Sequence, residues 1–584
     1  MNRKIQMNIG LAVVALLLTL TACSDEFLEF TPTGVVSSSD LESPETVESM
    51  IIAAYASLGN DGLLAHQYGD LWAWGTSRSD DGYKGGGGIG DQFPTHQTEV
   101  FTLNDPNNFN ANLNWKWIYA GISRVNDAMS RIKAIDPAVY QEEAGVSAAQ
   151  RLAEMRFLRG HYQFILKVLY KYPVFIDENV PKAEIINVSN RELTDQEGWA
   201  YIAEEFRAGV EGLPDAQADE GRPTKNAARA YLAKVLMYKA YVQDDNHQVV
   251  SINSAELQEV VNLINTIEGT GEYELFDDYA KNFLWEYESG VESVWAVMRS
   301  INDGSNQGRG NFSTGLTSSL GPGYGCCSFN QPSQNLTNAY KTDDSGLPLL
   351  SDFNSGAQIE TIEDTRANKV DPRLAHTIGL IGMPFKYDPN RVYDESYSRV
   401  PGVYGFKLGM KDQELPNSPA FRQYEAFFSI ARNTDQIRWA EVLLWKAEAL
   451  IELNRLGEAL QIINQIRRRA ISEASLSRIV DAEGNATGDW TVGEYSDLGS
   501  QDNAREILRM ERRLELAFES KRFFDLVRWG IAAETLNTYF NEERDRVAHL
   551  TDALFTAGRD EYLAIPQEQI TISQGLYVQN PGYN

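Results

Sequence analysis

The sequence predicts a mainly α protein in which tetratricopeptide-like helical repeats form a scaffold and carry a loop-rich mixed lobe. Three observations predict it. Apolar residues recur at steps of three and four through much of residues 44–270 and again from Gln436 onward, so each stretch has one apolar helix face. No helix pair can bury such a face alone, so the pairs must stack. From about Gly271 to Asp435 the periodicity disappears, and Gly, Pro, Asn and Tyr dominate.

The chain has 584 residues, room for several ordinary domains or for one large helical array with an elaborated second lobe. A formal net charge of −30 repels phosphate backbones, which excludes nucleic acid as a partner. The same charge disfavours adsorption to anionic lipid and is compatible with uncharged ligands such as sugars. Aromatic residues make up 11%, with 27 Tyr and 11 Trp, and these need a use. Three Cys cannot build a disulfide framework.

In chain order, Arg3 and Lys4 precede an apolar run from Ile9 to Leu20, too short to span a bilayer as a helix. Leu20-Thr21-Ala22-Cys23 follows it, so residues 1–22 resemble a lipoprotein signal peptide. That resemblance implies cleavage before Cys23 and lipidation of Cys23. Several acyl chains, at roughly 0.8 kcal/mol per buried methylene, would hold the chain on a membrane. Residues 23–43 read as the lipidated tether. Residues 44–270 read as an N-terminal helical-repeat region with a ligand loop. A helix is expected over Pro44–Leu58, and others on Ile118, Ile122, Val125, Met129 and Ile132, and on Leu152, Met155, Tyr162, Ile165 and Leu169. Trp199, Ile202, Phe206 and Val210 open a second pair, which GRPTKNAARAYLAKVLMY completes with Pro223 near the helix start. Leu257, Val260, Val261 and Ile264 give a further helix.

Residues 271–435 form the loop-rich variable lobe, with weak strand signals in SVWAVM and, later in the chain, EYLAIP. Residues 436–584 open with RWAEVLLWKAEALIELNRLGEALQIINQIRRRA. Here Ala447 and Ala459 are small residues facing each other across a turn, as a tetratricopeptide-type pair requires. The later ILRMERRLELAFESKRFFDLVRWG is expected to be one more helix, with Ile507, Leu514, Ala517 and Phe518 on its apolar side. Its charges, from Glu511 and Arg512 to Glu519 and Arg522, read as a structural ion-pair lattice.

Two irregular stretches stand out chemically. YGDLWAWGTSRSDDGYKGGGGIGDQF gathers Trp72, Trp74, Arg78, Asp80, Asp81 and Tyr83; GRGNFSTGLTSSLGPGYGCCSF carries Tyr324, Cys326 and Cys327. A sugar ring has an apolar C–H face that an indole or phenol covers, and a polar rim that Arg, Asp and Asn bond. Trp72, Trp74, Arg78, Asp80, Asp81, Tyr83 and Tyr324 are therefore the ligand-binding candidates, with core or loop packing as the plain alternative for each Trp. Asp80 and Asp81 are sequence neighbours and point opposite ways, so this pair alone cannot be a glycosidase dyad. Ligand hydrogen bonding and turn capping are equal alternatives for them. Gly85–Gly88 lacks a following Lys-Ser/Thr pair and reads as a flexible or tight-turning loop. The six His show no metal spacing, no Gly-x-Ser-x-Gly elbow occurs, and no metal or cofactor is expected. Cys326 and Cys327 could form a vicinal disulfide or stay reduced and packed; the reactivity of exposed thiols favours the disulfide.

RWAEVLLWKAEAL, ERRLELAFESKRFFDLVRWG and the closing LAIPQEQI…QNPGY resemble the C-terminal signature of the SusD/RagB family. FLEFTPTGVVS, RLAEMRFLRGHYQFILKVLYKYPVF, QPSQNLTNAY and Asp371-Pro372-Arg373 resemble its other segments, in the family's order. The resemblance implies a SusD-like fold and a lipoprotein anchored on the outer membrane, facing the cell exterior. It also implies that the chain captures oligosaccharide and passes it to a SusC-like TonB-dependent transporter without chemistry on the substrate. Oligopeptide binding, a surface glycoside hydrolase and a purely structural partner of the transporter are the rival readings. An aromatic platform drawn from N-terminal loops and the middle lobe is the family's general device, and the two aromatic loops lie in similar places.

Overall fold

The computed structural model describes residues 43–59, 70–301, 303, 309–424 and 427–583. Cys23, the expected signal peptide and the tether before residue 43 lie outside these.

The apolar periodicities become helices α1 (Pro44–Ala56), α2 (Phe109–Ala134), α3 (Ala148–Tyr170), α4 (Asp195–Gly212), α5 (Lys225–Ala240), α6 (Ser254–Glu268), α7 (Trp439–Glu452) and α8 (Leu456–Ala470). Their starts are written locally. Ser43, Asn108, Ser147, Thr194, Thr224 and Asn253 each accept a first-turn N–H at α1 to α6, and Thr194 with Glu197 makes a full capping box. Pro223 lies just outside α5, before its Thr224 cap.

Each helix packs on the next, from α1 on α2 through to α7 on α8. The array is unbroken where the chain is not: α6 packs on α7 although the whole loop-rich lobe lies between them in sequence. Small residues set the spacing. A side-chain carbon at Gly160 would sit 2.9 Å from the Phe206 ring, and one at Gly121 would sit 2.7 Å from Tyr162. Ala447 and Ala459 are both fully buried at the last pair. The buried faces merge into one core that runs from Val47 to Ile565.

Two predicted elements differ. The helix after Ser500, α9 (Gln501–Leu516), stops before Ala517; Phe518 and Ser520 take positive φ, and a separate α10 (Arg522–Arg528) follows. The charged face fixed the helix, but the turn needs left-handed residues that a periodicity count does not register. EYLAIP joins no strand among the described residues; its Leu563 N–H instead donates to Leu169 O at the end of α3, 2.7 Å away.

The N-terminal loop contributes strand β1 (Gly82–Gly85), and the loop-rich lobe and its end contain β2 (Ser293–Val297), β3 (Phe329–Pro332), β4 (Phe421–Tyr424), β5 (Phe427–Ile430) and β6 (Thr434–Arg438). Every sheet among the described residues has only two strands. β1 pairs antiparallel with β3 and ties the N-terminal loop to the lobe; β2 pairs with β6, which runs straight into α7.

The charges of α9 form a buried lattice. Glu515 accepts from Arg438 at 2.7 Å, from Arg373 at 3.2 Å and from Arg469. Glu511 accepts from Arg373 at 2.6 Å and from Arg467 at 2.9 Å. Arg373 itself lies against Asp371 at 2.7 Å, so the Asp-Pro-Arg motif is a plug that carries a guanidinium from the loop-rich lobe into the scaffold.

Candidate functional site

The predicted ligand loop is a structural seam. Trp72 and Trp74 sit in a single helical turn, Trp72–Gly75, and are almost completely buried. Trp74 belongs to the main core, while Trp72 donates from Nε1 to Ser313 Oγ at 2.9 Å and packs against Phe329. Gly75 admits no side chain because the Ser520 carbonyl oxygen lies where its Cβ would be. Arg78 donates to Asp560 O at 2.7 Å and lies 4.1 Å from the Phe523 ring centroid. Burial pushes its guanidinium down to about 10.

Asp80 receives Arg522 through Nε and Nη2 at 2.8 and 2.9 Å, and Asp81 receives Arg513 at 2.8 Å. Burial works against the Asp80 charge, yet the Arg513 and Arg522 guanidinium groups outweigh it and hold the carboxyl well below the usual range. Tyr83 donates to Glu543 Oε2. All six side chains are buried, which corrects the expectation of an exposed platform. The physical reason is charge pairing. Asp80 and Asp81 are the counter-ions of Arg513 and Arg522, more than four hundred residues away, and the tryptophans are carried inward with them.

Of the two readings of the four glycines, the structure shows the tight turn, at the end of β1. Gly85, Gly86 and Gly88 have positive φ, and the buried Lys84 ammonium donates to the Gly85 and Gly88 carbonyls at 2.9 Å each. Tyr324 is half-buried. Its hydroxyl donates to Glu414 O, and its ring packs edge-on against Phe421 and Phe385. Cys326 and Cys327 are joined as a vicinal disulfide, with Cys327 in a small cluster with Trp72 and Phe329.

A different set of aromatic residues reaches the surface. Eight of the eleven tryptophans are buried, leaving Trp117, Trp285 and Trp490 partly exposed. Trp285 shares a short 3-10 turn with Tyr287, which is 36% exposed. The Phe276 and Tyr287 rings meet edge to face with centroids 6.3 Å apart, and Lys281 Nζ lies 5.3 Å from the Tyr287 centroid. Phe276 and Tyr287 line a hollow with Asn282, Glu288, Arg432 and Asn433.

The hollow is held rigid from below. Asn433 N–H donates to Glu288 Oε2 at 2.8 Å, and Asn433 Oδ1 accepts the Arg299 N–H at 2.8 Å. Asn282 donates to Glu292 Oε1 at 3.0 Å. Burial raises Glu288, and it pushes Asp435 up to about 6. The arrangement offers aromatic edge, carboxylate, amide and guanidinium side by side at the junction of β6 with the residues after α6. Sequence reasoning missed it. The available signal was aromatic density: Tyr273, Phe276, Tyr279, Phe283, Trp285 and Tyr287 fall within fifteen positions.

The sequence pattern described as the SusD family matches residues 291–583, half of the chain. The protein belongs to the SusD family. A second pattern, described as starch-binding associating with outer membrane, matches residues 26–237. SusD-like protein P2 of Formosa agariphila is 24% identical over 589 residues, covering 98% of each chain. A SusD-like protein of Bacteroides ovatus is 22% identical, covering 91% of this chain and 84% of its own. Among solved structures, a SusD superfamily protein from Bacteroides vulgatus superposes with a TM-score of 0.66 at 19% identity, over 93% of this chain and 99% of that one. A laminarin-binding SusD-like protein gives 0.65 at 21%, over 93% and 100%. Surface glycan-binding protein A from Bacteroides thetaiotaomicron, in complex with laminarihexaose, gives 0.62 at 19%, over 92% and 99%. The SusD fold thus accounts for both halves: stacked helices and the loop-rich lobe set upon them.

Proposed function

We propose that this SusD-family protein is a cell-surface glycan-binding lipoprotein. It is anchored through Cys23, captures oligosaccharides at the hollow lined by Phe276 and Tyr287, and delivers them to a partner TonB-dependent outer-membrane transporter. The observation that carries the reading is the exposed Tyr287 ring, beside the Phe276 ring and fixed polar groups. Aromatic faces of this kind cover sugar C–H surfaces while amide and carboxylate groups bond the hydroxyls. The laminarin-binding relatives of the same fold support the ligand class. The repeat array is the rigid side that docks on the transporter, and binding proceeds without hydrolysis.

Titration calorimetry against panels of oligosaccharides and oligopeptides tests the ligand class; heat only with peptides would replace the glycan reading. Release of new reducing ends by the purified protein would contradict a pure binding role. Tyr287→Ala is expected to weaken glycan binding about tenfold, roughly 1.4 kcal/mol, with an unchanged melting temperature because the ring is exposed. Unchanged affinity would move the site away from this hollow.

A further inference from the structure

The repeat array has an open groove of about 800 Å³ that shares no residue with the hollow. Pockets that take ligands run from about 300 to 1,000 Å³. Residues of α2, α3 and α4 line it, together with residues 177–179. Small residues keep it open. Ala149, Ala200 and Ala208 line it, and a Cβ at Gly212 would lie 2.7 Å from that of Ala153. Leu152 and Leu193 add half-exposed apolar surface. Tyr201 adds a half-exposed ring, packed against Phe175 with centroids 5.1 Å apart.

The charge of the groove is unbalanced. Six carboxylates and three cations line it. All three cations are used within the wall. Arg159 reaches Glu205 at 3.0 Å and also Glu178, Lys133 reaches Glu178, and Arg156 reaches Glu205 at 3.4 Å. Glu204 lies 3.0 Å from Arg207, but Arg207 brings Glu259 with it at 2.8 Å, so that pair leaves the sum unchanged. Asp177, Glu197 and Glu211 have no cation in ion-pair range among the described residues. Asp177 and Glu197 accept only neutral groups, from Asn179 and from Thr194. Glu211 is exposed in the last turn of α4, which holds no basic residue, so acid and helix C-terminus repel each other. Acidic residues are common throughout this chain; here they stand around a concave apolar floor with an aromatic ring in it.

The occupant follows from that charge. From Cys23 onward, no stretch of this chain outside the described residues contains Lys or Arg, so none of them answers it. A second copy, with a net charge of −30, is repelled as a whole. We propose that this groove docks an extended lysine- or arginine-bearing segment of a partner protein. The aliphatic stems of its basic side chains lie on the apolar floor, and their charged ends meet Asp177, Glu197 and Glu211. Tyr201 offers the same cations a ring. Concave faces of stacked helical repeats are suited to such a segment because neighbouring units hold them rigid. The proposal goes beyond the docking role given to the repeat array, since it assigns one groove and one partner chemistry.

Fluorescence anisotropy of the full chain with a labelled decapeptide of alternating lysine and leucine tests it. Saturable binding that weakens with added salt is expected, and no binding of the counterpart with glutamate for lysine. Combined Asp177→Lys, Glu197→Lys and Glu211→Lys should weaken the lysine peptide at least about tenfold. The exposed acids Glu363, Glu483 and Asp552, each replaced by Lys, make the same change of net charge elsewhere and should leave most of the affinity. Ala208→Trp fills the groove without altering charge and should also weaken binding. Absence of saturable binding overturns the proposal, as does an equal loss in the two triple variants or full affinity in Ala208→Trp. If the groove triple does not fold, Glu211→Lys alone, at an exposed position, and Ala208→Trp decide the matter. Glycan affinity should be unchanged in every variant, so failure of the peptide test leaves the glycan reading standing.

Discussion

Replacing Glu515 with alanine is expected to lower the unfolding free energy by about 3–5 kcal/mol, the cost of breaking a buried ion pair from one side. Glu515 is fully buried and takes hydrogen bonds from Arg373, Arg438 and Arg469. Its removal leaves three guanidinium groups facing one another with one counter-charge fewer. Glu515→Gln, which keeps the shape but not the charge, should fall between the two. Chemical denaturation measures the effect. A loss below about 1 kcal/mol would show that Glu511, Glu292 and Glu519 can carry the arginines alone. The same lattice sets the acid limit. Against burial, Arg438 and Lys411 hold Glu519 down to about 2, and Arg528 holds Glu448 down to about 2. Carboxyls depressed in the fold contribute fully above their ordinary value of 4.5, and that contribution is lost as the pH falls toward 2. Acid unfolding should therefore set in within that window, and Glu515→Ala should shift it upward.

Trp74→Ala should cost a similar amount, about 3–5 kcal/mol, as a large buried ring becomes a cavity. The indole is fully buried in the main core, and its N–H has no hydrogen-bond partner among the described residues, so packing carries the loss. The glycan affinity of the molecules that remain folded should not change. Calorimetric melting together with titration at low temperature separates the two effects. A large loss of affinity with intact melting would return this loop to the binding site.

The contrast between Trp74 and Tyr287 shows what the sequence could convey. Helix faces such as Ile118–Ile132 and Leu257–Ile264 repeat locally, and their caps sit within three residues, so the scaffold was legible. The lattice was legible as charge on α9, because its acids and arginines alternate along one element. Asp80 and Asp81 were not, since their partners Arg513 and Arg522 are distant in the chain and nothing local distinguishes a buried pair from a ligand contact. Trp72 and Trp74 looked available because Gly and Asp surround them. In the fold those residues make tight turns beneath α10. Tyr287 was overlooked for the opposite reason: its neighbours Phe283 and Tyr279 are core residues, and burial is a property of packing that spacing alone does not reveal.

The seam at Gly75–Asp81 also has a consequence for the order of assembly. Asp80, Asp81 and Arg78 find their partners at Arg522, Arg513 and Asp560, while Asn190 clasps Val578 and Asn580 clasps Tyr170. A nascent chain that has delivered only its first five hundred residues therefore holds two carboxylates and a guanidinium with no counterpart. This seam closes only when the last hundred residues arrive. Such long-range closure is slow and leaves apolar helix faces open in the meantime. Closure of the seam is thus expected only as synthesis ends, and a truncation near the C-terminus should act as a defect of the N-terminal half.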